Sequence, residues 1–492
     1  MISGIGKANN LAVRWLASGV LIASFSFIPF AWPLVIVGFV LLLELLRTSS
    51  VKQILHYGSL FCLTKSLIIL AWGWSIYPLT WTGFEPGLVQ ILSIGIFWVC
   101  ISFTLGISFL LSLLLQKFLY SFHSNTIFLF PITWLGAEVL GSTLYSVAMF
   151  GPGGTVNTYF SFGYVGYSLA ETPILNSIAA LAGVYSLTIF LVLVATTIFS
   201  FIRSHNIMLR TMTGLIALTI SIIAHYEVTN RTIHTFAVDI AVIETDFGAD
   251  SFNTIENYQT KLTETKAAVD AALKGSYDVI LLPEDARFIS NFENDASALT
   301  YLVNHTTSTP LIYDSARTTL DEDTIVQRAY VFDVYNSNIY TSDKQYLVPH
   351  GEFIPYVSGL VLNLLPHSQF KQKMTRDLRY KPGPHSTSDL PVSVPRILFC
   401  MESVSPVGIR KIHTEENIPL IVHPVSHSWF NNSSQLVHNL KQMLRTQALW
   451  NNVHIVEAGN KLQSTHYTNT GENHEIKTVV ESGLWKLKEL RI

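Results

Sequence analysis

Charge is distributed unevenly along this chain of 492 residues, and that partition limits its fold more than any motif does. Residues 1–227 hold only 13 Asp, Glu, Lys and Arg side chains, none of them aspartate, whereas residues 228–492 hold 52. A stretch so poor in charge is suited to lipid or to a protein interior, while the charge-rich stretch is suited to water. The sequence is therefore expected to divide into a transmembrane domain, 1–227, and a water-soluble domain, 228–492. A net charge of -3, with no basic patch interleaved with aromatics, argues against a nucleic-acid partner. Of the three cysteines, Cys62 and Cys100 lie in apolar runs, so Cys400 is the lone thiol of the second half and no disulfide can form there.

A spanning helix needs about 20 mostly apolar residues. The apolar runs predict seven spans, at 11–29, 32–47, 56–77, 89–115, 126–147, 173–201 and 208–226. The first run lacks a small-residue cleavage site and reads as a retained span. Lys7, Arg14, Arg47, Lys52, Lys117, Arg203 and Arg210 all fall at one set of ends, whereas the loops near 30–32, 78–88 and 148–172 carry no lysine or arginine. The positive-inside rule then puts the N-terminus in the cytoplasm and the second half on the opposite side. Lys65 and Glu138, the latter near Trp134, fall within spans, where an ionisable group is either functional or snorkels to the surface. The loop 148–172 is rich in glycine and aromatics and reads as an interfacial belt or lipid-facing rim.

The pattern changes in the second half. Strands are expected at 236–243, 278–284, 310–314, 329–334, 394–400, 419–423 and 453–458, with helices at 254–274 and 433–449. This alternation predicts an α/β fold.

Three stretches carry the candidate chemistry. Leu282-Pro283-Glu284 ends one strand in a carboxylate. Asp343-Lys344 is followed by Leu347-Val348-Pro349 and Gly351-Glu352, and the apolar run 394–399 delivers Cys400, with Glu402 two residues on. A thiol needs a base to become a nucleophile, a nearby cation lowers its pKa, and a lysine can hold an oxyanion. Taken singly, each has an ordinary reading: a solvated strand end, a surface charge, a loop carboxylate, a small buried hydrophobe.

Together, in the order Glu284, Lys344, Cys400, these words resemble the nitrilase (carbon–nitrogen hydrolase) superfamily, whose Glu–Lys–Cys triad sits on an αββα sandwich. With a multi-span half in front, the chain is similar to the apolipoprotein N-acyltransferase family. Ser24-Phe25, Pro29-Phe30 with Trp32-Pro33, Phe162-Gly163-Tyr164 and Ala182-Gly183-Val184-Tyr185 extend that similarity into the first half. The resemblance implies that Glu284 is the general base, Cys400 the nucleophile and Lys344 the oxyanion holder. Glu352 and Glu402 would be supporting carboxylates, and Trp429 and Phe430 would contact substrate. It also implies a phospholipid acyl donor, the N-terminal amine of a diacylglyceryl-cysteine lipoprotein as acceptor, no metal or organic cofactor, and a catalytic domain on the periplasmic face of a bacterial inner membrane. A membrane-tethered amidase and an inactive lipid- or lipoprotein-binding homologue are the alternative readings.

The sequence also departs from that family. Ser426-His427-Ser428-Trp429-Phe430 stands in place of its Asn-Asp-x-Trp-Phe, and Glu244-Thr245-Asp246 in place of Gln-Gly-Asn. Met401 replaces an aromatic, His350 replaces a phenylalanine, no arginine follows Glu138, and the family's closing span after the catalytic domain is not seen. These changes spare Glu284, Lys344 and Cys400 and bear on substrate choice.

Overall fold

The computed structural model describes all residues except 1, 81–85, 123, 204–206, 232–236, 323, 365–368 and 432. The centre of the loop expected at 78–88 and the first residue of the strand expected from 236 lie outside the described residues, as do the side chains of Lys7 and Arg210.

The first half is helical. Helices run over Ile2–Ala23, Trp32–Thr48, Ser59–Ile69, Leu88–Phe122, Phe130–Ala148, Val184–Arg203 and Ile207–Thr229. Among the described residues, Leu88–Phe122, Thr126–Ala148 and Val184–Arg203 are long and apolar enough to cross a membrane; Asn10–Ser26, Pro173–Ala182 and Gly214–Thr229 are shorter apolar helices. Leu88–Phe122 turns Leu92, Ile96, Val99, Phe103, Leu111, Leu115 and Phe118 outward, an apolar face left exposed among the described residues. The run expected at 173–201 is broken into Pro173–Asn176, Ala179–Ala182 and Val184–Arg203. Gly183 makes the break: its φ is +60°, and a Cβ there would lie 2.3 Å from the Trp450 ring.

Two ionisable groups inside this bundle pin the loop 148–172. Glu138 accepts from the Trp134 indole (3.1 Å), the Val165 amide (2.8 Å) and the Thr188 hydroxyl (2.9 Å). Lys65 does not snorkel: its ammonium donates to the Gly163 carbonyl at 3.3 Å and lies 3.6 Å from the centre of the Phe109 ring. The loop's Phe160, Phe162, Tyr164 and Tyr167 are consequently buried, not arrayed as a lipid-facing belt; Phe150 and Val156 are the exposed exceptions.

The second half is an α/β sandwich of two sheets. Twelve strands follow in order: β1 Asp239–Thr245, β2 Val279–Leu281, β3 Leu311–Asp321, β4 Thr324–Asp333, β5 Asn338–Asp343, β6 Arg396–Ile397, β7 Leu420–Ser426, β8 His454–Asn460, β9 Thr465–Tyr467, β10 Asn473–Glu475, β11 Lys477–Glu481 and β12 Trp485–Arg491. One sheet has the order β5-β4-β3-β2-β1-β12-β11, with β1, β2 and β3 parallel and the other pairs antiparallel. The other runs β6-β7-β8-β9-β10, parallel from β6 to β8. A single residue pair, Thr245 with Asn460, joins the sheets.

Alternation along the strands explains the layers. Ile240 and Val242 of β1 meet Ile397, Phe399, Leu420, Val422 and Val456 between the sheets. Their neighbours Ala241 and Ile243 turn the other way, onto Ala268, Val269 and Ala272 of the helix Ile255–Ala272. On the far side, Ile421 and Ile455 pack on Leu444 and Ala448 of the helix Ser434–Asn451. Helix, sheet, sheet and helix thus form an αββα stack.

The helix Ser434–Asn451 also fastens this stack to the bundle. The Gln435 amide donates to the Ser26 hydroxyl (3.1 Å) and to the carbonyls of Ile68 and Ile69 (3.0 and 3.2 Å). Arg231 reaches from the end of the bundle to the carbonyls of Leu449 and Ala180.

Candidate active site

Glu284 stands three residues beyond β2, where the chain leaves the sheet after the Leu282 amide pairs with the Tyr313 carbonyl (3.0 Å). Lys344 follows β5 directly. Its own amide donates to the Gln327 carbonyl of β4 (2.9 Å), and Asp343 before it is gripped by two guanidinium nitrogens of Arg328, Nε and Nη2 (2.7 and 3.0 Å). Lys344 is 1% exposed, and its ammonium donates to Glu284 Oε1 (3.0 Å) and Glu352 Oε1 (2.8 Å). Those bonds use two of its three donors and leave the third for another acceptor. Glu352 is fixed in turn, its second oxygen accepting from the Val348 amide at 2.7 Å.

Cys400 does not end a long strand. β6 comprises only Arg396–Ile397, Leu398 adds one more bond to Val422 (2.9 Å), and Cys400 opens a 3-10 turn, Cys400–Val404. β6 is an edge strand behind Pro395, where short ladders are usual. Glu402 holds the turn in place. One of its oxygens accepts from the amides of Gln345 (2.7 Å) and Tyr346 (3.2 Å), the other from Phe399 (2.9 Å). One half-buried carboxylate thereby ties the Cys400 turn to the backbone just after Lys344.

Glu284, Lys344, Glu352, Cys400, Trp429 and Phe430 line one cavity of about 630 Å³. Glu402 stands behind the cavity wall as a brace. Burial pushes the Glu284 carboxyl up to about 7 against the pull of Lys344. Burial and the Glu284 charge push the Cys400 thiol well up, opposed by Lys344 and by the Ser426 backbone amide. At rest, therefore, the thiol keeps its proton, beside a carboxyl that titrates near neutrality.

Further cavity residues come from places the sequence did not single out: Phe252, Lys261, Arg317, Gln327, Tyr380 and Asn460. Asn460 was discoverable only by pairing. It accepts from the Thr245 hydroxyl (2.9 Å) and the Phe247 amide (2.8 Å) and donates to Ser426 (3.0 Å), holding the two sheets together where they meet. The changed word Ser426-His427-Ser428 thus has a hydrogen-bonded place in the wall.

The cavity also adjoins the bundle. The Phe430 ring packs edge-on to Trp72 (5.8 Å between centres), which lies against Phe162 (5.0 Å). Ser161 of the pinned loop donates to the carbonyl of Val404, the last residue of the Cys400 turn, at 2.6 Å. Among the described residues no cluster of three His, Cys, Asp or Glu side chains is arranged to hold a metal ion.

A cysteine, a glutamate and a lysine thus share one cavity on an αββα stack joined to an apolar bundle. The structure is similar to a carbon–nitrogen hydrolase from Helicobacter pylori G27 (11% identity over 52% of this chain and 89% of that chain, TM-score 0.33). It is also similar to an amidase from Nesterenkonia sp. (12% identity over 51% of this chain and 90% of that chain, TM-score 0.33). Comparison with curated proteins gives no match. Residues 18–197 match the apolipoprotein N-acyltransferase N-terminal domain.

Proposed function

We propose that this chain, with a transmembrane domain over 1–227 and a catalytic domain over 228–492, moves a fatty acyl group from a phospholipid to the N-terminal amine of a diacylglyceryl-cysteine lipoprotein. One observation carries the reading. The cavity that holds Glu284, Lys344 and Cys400 is walled by Phe430, and Phe430 packs on Trp72 of the apolar bundle. A site continuous with lipid-facing helices suits a lipid ester.

In the first half-reaction Cys400 Sγ attacks the ester carbonyl while Glu284 takes the thiol proton. The oxyanion is met by the third donor of Lys344 and the Ser426 amide, which already faces the sulfur. The carbonyl re-forms, and the departing alkoxide of the lysophospholipid receives the proton from Glu284. In the second, the acceptor amine attacks the thioester and gives a proton to Glu284. The thiolate then leaves and is reprotonated. Glu352 and Glu402 hold Lys344 and the Cys400 turn, and Trp429 and Phe430 contact the acyl chain.

An amidase would run the same first step and use water in the second, so the lifetime of the thioester separates the two. Purified protein in detergent is loaded with phospholipid, freed of excess lipid, and followed by mass spectrometry. The acyl group is expected to stay on Cys400 until a lipopeptide amine is added, because an apolar wall keeps water from it. Loss within one turnover time without acceptor would establish a hydrolase. No labelling of folded protein would favour a binding protein without activity.

The lysines and arginines of the short loops support a catalytic domain on the periplasmic side of a bacterial inner membrane. A reporter active only outside the cytoplasm, fused after Ile492, is expected to be active, and one active only inside is expected to work after Lys117. Silence of the first in an expressed chain would reverse the orientation.

A further inference from the structure

The chemistry above leaves one polar wall of the catalytic cavity unused. Phe252, Lys261, Asp285 and Arg317 line it. Lys261 comes from the buried face of the helix Ile255–Ala272, beside Thr265, Ala268, Val269 and Ala272, an apolar stripe where a lysine is out of place. It is 4% exposed and makes no hydrogen bond or ion pair with a described residue.

The charges around it do not balance. The Lys261 ammonium lies 4.2 Å from the centre of the Phe252 ring, and the guanidinium carbons of Arg287 and Arg317 lie 4.1 and 4.8 Å from the same point. Asp285 pairs with Arg287 at 2.7 Å and with Arg317 at 3.2 Å, Glu352 and Glu284 act on Arg317 from farther off, and neither reaches Lys261 with an ion pair. Asp314, the next carboxylate, spends Oδ2 on the Ile289 amide at 2.8 Å, and burial pushes it up to about 6. Burial pushes Lys261 down to about 7 against the pull of Asp285, with Arg287 and Arg317 pushing the same way. A buried cation short of counter-charge gains most from an arriving anion. The backbone also bends unusually to present these groups. Asp285 and Arg287, just after Glu284, take φ of +59° and +63°, conformations that non-glycine residues hold only where the surroundings enforce them.

Resting on the acyl-donor reading above, we propose that Lys261 and Arg317, with Arg287 behind them on Asp285, form an anion-binding wall that takes the phosphate of the donor's headgroup while its ester faces Cys400. An ammonium and a guanidinium are the groups that bind phosphate best. Free inorganic phosphate has the same chemistry, and the test separates the two.

Acylation of Cys400 in the full-length protein is measured with phosphatidylglycerol and with an uncharged donor, p-nitrophenyl palmitate. Lys261→Met is expected to raise KM for the phospholipid about tenfold and to lower the phospholipid-to-neutral-ester ratio of kcat/KM by about as much, with Lys261→Arg recovering most of it. The partly exposed Arg317→Gln should lower the same ratio and serves where Lys261→Met does not fold. If the ratio is unchanged while inorganic phosphate inhibits the wild type and spares the variant, the wall holds free phosphate and the headgroup assignment is overturned. An equal loss with both donors, or no loss with either, with phosphate acting alike on wild type and variant, overturns the wall itself. A wild-type chain labelled by the neutral ester but not by any phospholipid would sink the acyl-donor reading, and this inference with it.

Discussion

Cys400→Ala is expected to abolish acyl transfer, with a loss of at least about a thousandfold, while the protein stays folded and in the membrane. The thiol is half-buried in the cavity wall, and the hydrogen bonds that hold its turn run through Glu402, Ser403 and backbone, not through sulfur. Loss of the sulfur therefore removes the chemistry and leaves the scaffold. Transfer from a labelled phospholipid to a lipopeptide measures it, and near wild-type activity in the alanine variant would eliminate the thioester route. The same assay carries a pH signature. Burial holds the Glu284 carboxyl up to about 7, so the base is protonated and idle below that value and free to accept above it. The acylation rate should rise through about pH 7, and Glu284→Gln should remove the rise together with the activity. A flat profile in the wild type between pH 5.5 and 8 would exclude Glu284 as the base.

How much of this was legible in the sequence depends on the distance over which each feature is determined. The strands and helices of the second half were readable because alternation and helical spacing are local. The helix expected at 254–274 is found at Ile255–Ala272, and that expected at 433–449 at Ser434–Asn451. The stretches around Glu284 and Cys400 were readable because each follows a buried apolar run, and that around Lys344 through the Leu347-Val348-Pro349 and Gly351-Glu352 words after it. Three things were not. The break at Gly183 depends on Trp450, a residue 267 positions away, whose ring fills the space a side chain would need. The burial of Phe160, Phe162 and Tyr167 depends on Glu138 and Lys65 drawing the loop inward, so residues typical of a lipid interface became core. Lys261 is the third. A charge on the alanine stripe of its helix was the available signal, and its meaning appears only when β2 and β3 bring Asp285 and Arg317 beside it.

Lys344→Met should be as damaging to activity as Cys400→Ala and, unlike it, should damage the fold in a pH-dependent way. The ammonium is the one charge set between Glu284 and Glu352, at 3.0 and 2.8 Å, and all three side chains are buried. Removing one member of a buried ionic group strands the others in a poor solvent for charge, which typically costs about 3–5 kcal/mol. The sign follows from the direction of the shifts. In the wild type the carboxylates hold the Lys344 proton well above its ordinary range, so this stabilisation is complete at neutral pH and is lost only as the pH rises past that raised value. In the variant the paired cation is gone, and burial holds the folded-state pKa of Glu284 above that of the unfolded chain. Its favourable contribution then exists at low pH, where it is neutral, and is lost as the pH rises through the raised value. The melting temperature of Lys344→Met should therefore approach that of the wild type near pH 5 and fall well below it at pH 8. Activity should be lost by about a thousandfold at both, since no donor remains to meet the oxyanion. A variant as stable as the wild type at pH 8 would show that the two carboxylates do not depend on this lysine. One that still transfers acyl groups within tenfold of the wild type would assign the oxyanion to the Ser426 amide alone.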